Sequence, residues 1–340
     1  MLNQRRTTNI LLLIIVIPLV FYLLKILSFI FIPLSFSLFI ALLFLPLMRW
    51  LNKRKVPKVV SVLIVVLLIG VCLKIGIELI QLSSKQIMSS NATFLDKAEV
   101  KLNDVIFYLE KNFGLEFQND KSVLSQFLQN DSISSTFDFL RKFLTTILMT
   151  AFFAILWLVE SINVHKLLNN TLLRQKHASV KTFMKIEKDL ITFIKVKFFV
   201  SLLTGIGTGL ACWYFDVSFP IFWGLFAFVI NFVQMVGSFI TVVLLSIFAF
   251  VEQDPSSTLF FFIATISGVQ VLFGGILEPI FMGKSFSINI IAVLVMLMFW
   301  GFLWGIPGLI MAIPITVFIK IILDQFDSTK KIASLLSGSQ

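Results

Sequence analysis

A chain of 340 residues with 58% hydrophobic and only 14% charged side chains, at a mean hydropathy of +0.98, carries too few charges to cover a surface in water. Its net charge of +10 is gathered beside apolar runs, so anionic lipid headgroups, and not nucleic acid, are the partners it suits. Cys72 and Cys212 both lie in apolar stretches and provide neither a disulfide framework nor a metal site.

In chain order, a first membrane span is expected at about 10–28 and a second at about 30–50, which contains Pro33 and Pro46. The two are expected to form a tight hairpin, retained and not cleaved as a signal peptide, because the run Ile10–Leu24 is long and lacks a small-residue cleavage site. A basic loop at 51–58 follows, then a third span at 59–80, in which Lys74 and Glu78 lie one helical turn apart and can pair near the membrane surface. Residues 49–58 hold five Lys/Arg and no acid, and residues 160–197 hold eight against three acids. Residues 81–140 hold five against eight. By the positive-inside rule the first two segments face the cytoplasm and the third faces out.

Within 81–140, apolar residues recur at helical spacing (Phe94, Leu95, Ala98, Leu102, Val105, Ile106, Leu109), and a shorter pattern runs through Val123, Leu124, Phe127 and Leu128. This predicts a small extracytoplasmic helical segment, a candidate partner-binding face. A fourth span at 142–162 leads to a basic amphipathic stretch suited to the headgroup plane, with Val180, Phe183, Met184, Leu190, Ile191 and Ile194 on its apolar side. A fifth span is expected at 196–215. Residues 219–251 and 288–323 are each too long for one span, so eight crossings result if both stay whole and ten if both divide. Either count puts both termini in the cytoplasm. The fold class is therefore all-α: a polytopic membrane protein of about eight spans, some broken or re-entrant, plus the helical extracytoplasmic segment. The organisation is 1–80, 81–140, 141–195, a permease core at 196–323, and a cytoplasmic tail at 324–340.

Polar side chains inside spans are costly, about 2.5 to 3.5 kcal/mol for a central charge, and so point to a pathway. Asn231, Gln234 and Gly237 recur every three residues on one face, and Gly237 permits the backbone to break beside a cavity. Gln270, Gly274 and Glu278 form a second face leading to Pro279, and Glu278 is a candidate proton or cation carrier because burial can raise a carboxyl pKa. Asn231, Gln234, Gln270 and Glu278 are thus the candidate pathway residues, against the plainer readings of interhelical amide bonding and a solvated helix end. Ser201, Gly205 and Gly209 form a small-residue stripe for close packing, not a phosphate loop, since no strand precedes them. Gly301, Gly305, Pro307, Gly308 and Pro314 suit a hinge or re-entrant turn. His165 and His177 stand twelve apart in the basic segment without a metal motif, and no Walker loop or nucleophile elbow is present. A transporter without cofactor or metal is expected, not an enzyme, and ATP drive by this chain alone is disfavoured.

The segments NFVQMVGSF (Asn231–Phe239), EPIFMGKSFSIN (Glu278–Asn289) and GFLWGIPGLIMAIPITVFIKII (Gly301–Ile322) resemble the autoinducer-2 exporter family of bacterial permeases. Shared positions are Asn231, Phe232, Gly237, Pro279, Gly283, Gly301, Gly305, Gly308, Ala312 and Pro314. Gln234 and Ser238 stand where the family usually has proline, which implies a softer break and a more polar site. The resemblance implies a multi-pass inner-membrane transporter and a homo-oligomer. Its substrate would be the autoinducer-2 signal or another small polar solute, or monovalent cations exchanged for protons. For the cation reading Glu278, Asp216 and Asp324 are candidate titrating groups. A non-transporting scaffold that binds a partner through 81–140 is the alternative from another class.

Overall fold

A computed structural model describes residues 2–113, 145–160, 177–233, 236–253, 257–282, 288–326 and 329–337. Every regular element among these residues is a helix. Five helices are long and apolar enough to cross a membrane: Ser28–Lys53, Val59–Gln86, Met184–Tyr214, Ser257–Met282 and Ile306–Asp324. The shorter apolar helices include Thr145–Glu160, Pro220–Ile230, Val236–Glu252 and Ile290–Trp304. The second pattern expected in the extracytoplasmic segment, from Val123 to Leu128, lies outside the described residues, as do His165, Gln234 and Gly283.

The chain forms two compact units. Met1–Ile69, Thr146–Phe198 and Ile280–Gln340 make up unit 1, and Gly70–Thr145 and Phe199–Pro279 make up unit 2. Of the expected core 196–323, residues 199–279 fall in unit 2 and the others in unit 1.

In unit 1, α1 (Leu2–Ile26) and α2 (Ser28–Lys53) are separated by Leu27 alone, whose φ of −87° and ψ of 21° leave the helical region. The indole N–H of Trp304 donates to the Leu24 carbonyl at 3.0 Å, just before this joint. Phe21 packs edge-on against Phe299 nearby, with ring centroids 4.9 Å apart. Trp304→Phe keeps the ring and removes the donor, so it should cost about 1 kcal/mol, read as a small fall in thermal midpoint in detergent. No change would show that the indole N–H does not hold the joint.

Helix α3 (Lys58–Phe113) is 56 residues long and unbroken, so the third span and the first expected extracytoplasmic helix are one rod of about 84 Å. On its surface Lys74 and Glu78 pair at 3.8 Å, both well exposed. Helix α4 (Thr145–Glu160) is followed by α5 (His177–Tyr214), another continuous element of 38 residues. The amphipathic stretch is the first half of α5. Leu190, Ile191 and Ile194 are buried in the protein, and Glu187 is ion-paired with Arg49 of α2. Met184, on the same expected apolar side, is exposed.

The two overlong apolar segments both divide. In unit 2, α6 (Pro220–Ile230) and α7 (Val236–Glu252) have 11 and 17 residues. At about 1.5 Å per residue α6 reaches only about 16 Å, half of a hydrocarbon core of about 30 Å. Trp223 and Phe219 pack on Phe248, with centroids 5.2 and 5.7 Å away. Glu252 accepts from the Ser218 backbone N–H and hydroxyl, and Gln253 donates to the Phe215 carbonyl at 2.8 Å. These contacts join the start of α6 to the end of α7, so the pair is an antiparallel, re-entrant hairpin with its tip at Asn231. Its base packs with the end of α5 and with α8 (Ser257–Gln270) around Cys212, Leu245, Phe262 and Ile266. Helix α8 continues through a π-helical turn, Val271–Leu277, into α9 (Glu278–Met282).

In unit 1 the other long segment becomes α10 (Ile290–Trp304) and α11 (Ile306–Asp324). They are joined at Gly305, whose φ of 64° and ψ of −139° suit only glycine. A short helix, α12 (Lys330–Leu336), follows, and its Leu336 carbonyl accepts from the Asn289 N–H at 2.9 Å.

Candidate functional site

Unit 2 gathers polar groups where its helices break. Helix α6 ends at Ile230, and Asn231 turns the chain at the hairpin tip, 3% exposed. Its side-chain amide donates to the Ser201 hydroxyl of α5 at 3.0 Å. The break can be this tight because of Gly237: a Cβ placed there would lie 2.0 Å from the Ile230 carbonyl oxygen. Gly237 instead donates its N–H to Val233 at 2.7 Å, and Thr241 returns its hydroxyl to the Gly237 carbonyl at 2.9 Å.

The π turn lies against this tip. A Cβ on Gly274 would be 3.4 Å from the Ser238 hydroxyl and 4.0 Å from the Asn231 side-chain oxygen. Gln270, just before the turn, and Glu278, just after it, are both buried, while Pro279 is exposed. The Gln270 side-chain oxygen meets no hydrogen-bonding partner among the described residues. An unpaired buried amide oxygen costs roughly 1–3 kcal/mol unless a ligand or water takes it up. π turns occur mostly as single interruptions of α-helices, often at functional sites.

Helix α5 closes the cluster with side chains that hydropathy hides. Ser201, Thr204 and Thr208 share one helical face by their spacing and are wholly buried. Thr204 donates to the Val200 carbonyl at 2.9 Å, and the Thr208 hydroxyl has no partner among the described residues. Gly205 and Gly209 are used within the chain. A Cβ on Gly205 would lie 2.7 Å from the Gly224 carbonyl oxygen, and one on Gly209 would lie 3.2 Å from that of Pro220. This face of α5 is thereby occupied by α6 and is not open to a second subunit.

The structure thus brings Asn231 onto Ser201 and sets Ser238 and Asn231 against Gly274 of the π turn, with Gln270 and Glu278 at the two ends of that turn and Thr208 two helical turns along α5 from Ser201. Gly301, Gly305, Pro307, Gly308 and Pro314 belong to the α10–α11 hairpin of unit 1. There Gly308 meets the Trp300 carbonyl, with only 1.9 Å to an added Cβ. Asp216 and Asp324 are exposed at helix ends.

Two lysines were missed by reasoning from pattern. Lys197 in α5 is 2% exposed and Lys320 in α11 is 5% exposed, whereas Lys195, two residues from Lys197, is exposed. Lys195 and Lys197 stand on opposite sides of α5, so one can snorkel to headgroups and the other cannot. The signal was available as single charges within the spans 196–215 and 288–323, and Lys197 entered only the count of basic residues in 160–197.

Such a set of amide, hydroxyl and carboxylate groups, with unpaired oxygens, can hydrogen-bond a small polar solute or its hydration shell. The model of the family described as AI-2E family transporter matches residues 11–328. A Borreliella burgdorferi protein named only as a transport protein is 27% identical over 326 residues, covering 93% of this chain and 87% of its own. A Haemophilus influenzae protein, likewise named for transport, is 24% identical and covers 90% and 89%. The AI-2 transport protein TqsA of Escherichia coli K12 is 23% identical, again covering 90% and 89%. The chain is a multi-pass membrane transport protein, not an enzyme, and it belongs to the AI-2E transporter family.

Proposed function

We propose that this chain is a gradient-driven exporter of a small polar solute such as autoinducer-2, acting in the bacterial inner membrane. The observation that carries the reading is the buried polar cluster of unit 2. Asn231 bonds Ser201 at a broken hairpin beside a π turn, and the buried oxygens of Gln270 and Thr208, without a partner among the described residues, are available to a passenger. The name of the Escherichia coli relative supports the solute. Segments 49–58 and 160–197 face the cytoplasm by their lysines and arginines, and both termini lie on that side. Asn231, Gln234, Gln270 and Glu278 line the route, while Gly237, Pro279, Gly283, Gly301, Gly305, Pro307, Gly308 and Pro314 let its helices break or bend. The subunits assemble as a homo-oligomer through surfaces other than the Gly205–Gly209 stripe.

The burial of Glu278 favours a second reading, a sodium or lithium/proton antiporter in which that carboxyl carries the exchanged ion. Purified protein in sealed vesicles separates the two. Uptake of labelled autoinducer-2 without sodium-dependent proton movement supports the exporter, and the reverse supports the antiporter. Flux of neither kind, with tight capture of a partner by 81–140, would replace both with a scaffold.

A further inference from the structure

A second site lies apart from the polar cluster, at the other end of unit 2. The C-terminal end of α5 and the first turns of α8 enclose an open cleft of about 500 Å³. The rings of Tyr214, Phe215 and Phe261 line it, with the carboxylate of Asp216 and the hydroxyls of Ser257 and Thr258. Asp216 is the sole charged group among the described lining residues. An acidic residue together with aromatic residues suits an ammonium group. The hydroxyls stand at the positive end of the α8 dipole, which suits a phosphate.

The location selects the source of that chemistry. Tyr214 is the last residue of one candidate span and Ser257 the first of another, so the cleft opens where spans end. Around it Trp213 and Phe260 turn outward, each 69% exposed, and Tyr214 and Phe261 are 74% and 61% exposed. Outward aromatics at span ends form the belt that sits at headgroup level. A solute on its way through the protein would gain nothing from rings so open to lipid. We infer that the cleft holds the headgroup of a phospholipid bearing a primary ammonium group. The ammonium lies between Asp216 and the rings, the phosphate lies toward Ser257 and Thr258, and the acyl chains run down the outer faces of α5 and α8.

The test uses full-length protein in detergent, titrated with phosphatidylethanolamine or phosphatidylglycerol and read by native mass spectrometry. Asp216→Asn is the informative variant. Asp216 has a φ of 54°, which asparagine tolerates, and it is exposed, so the fold should survive. Wild type should retain phosphatidylethanolamine about tenfold better than phosphatidylglycerol, and Asp216→Asn should erase that preference. Phe261→Ala, a second variant on an exposed ring, should weaken it severalfold. Equal retention of both lipids by wild type would overturn the inference, as would an undiminished preference in Asp216→Asn. Displacement of the lipid by millimolar free phosphoethanolamine would equally overturn it, by assigning the cleft to a soluble amine.

Discussion

Glu278→Gln is expected to abolish proton-coupled flux, by about 100-fold or more, while the protein remains folded. Glu278 is 3% exposed and opens α9 immediately after the π turn, and it is the one buried carboxylate among the described residues of either unit. Glutamine has nearly the same shape and keeps hydrogen-bonding capacity, but it can neither take up nor release a proton. Holding a charged side chain within a span costs about 2.5 to 3.5 kcal/mol on insertion scales, so the substitution should not destabilise the helix. The measurement is pH-gradient-driven uptake into vesicles, alongside a thermal melt. Unchanged coupled uptake would remove Glu278 from the transport step. Loss of uptake with a lowered midpoint would reassign it to folding.

The second large effect concerns the glycines at the two breaks. Gly237→Ala and Gly308→Ala each force a methyl group to within about 2 Å of a backbone carbonyl oxygen, of Ile230 and Trp300 respectively. A flexible side chain could move aside, but a carbonyl within a helix cannot move without opening the hairpin. Each substitution should cost about 3 kcal/mol or more, seen as a midpoint lowered by about 4 °C or more or as failure to express. Gly274→Ala is the control. Its methyl would find the Ser238 hydroxyl at 3.4 Å and the Asn231 oxygen at 4.0 Å, ordinary contact distances. That variant should fold normally and lose transport, because it places an apolar group among the polar ones. Full stability of Gly237→Ala would mean that the tip is looser than described.

The long apolar runs made the membrane architecture readable, because no water-soluble fold can cover them. The excess length of 219–251 and 288–323 likewise announced the breaks, and Gly305 and Gly237 stand at them. Continuity was harder to read. Nothing between Ile80 and Phe94 says whether a helix leaving the bilayer stops or runs on, and α3 runs on. The π turn is invisible to spacing, since Gln270, Gly274 and Glu278 share a face in either helical form. Thr204 and Thr208 escaped notice because threonine barely changes mean hydropathy. Their importance comes from a burial that depends on where α6 packs. Lys197 differs from Lys195 only in the side of α5 on which it stands, a distinction that appears once α5 has neighbours.

On the proposed function, the buried polar face of unit 2 borders a route which water enters. The most direct measurement replaces Cys72 and Cys212, then places single cysteines at Thr208, Gln270 and, as a lipid-facing control, Phe239, which is 70% exposed on α7. Labelling of intact vesicles by a membrane-impermeant thiol reagent should modify the cysteines at 208 and 270, be slowed by substrate, and spare 239. Unreactive cysteines at 208 and 270, with or without substrate, would mean a dry bundle and contradict the account.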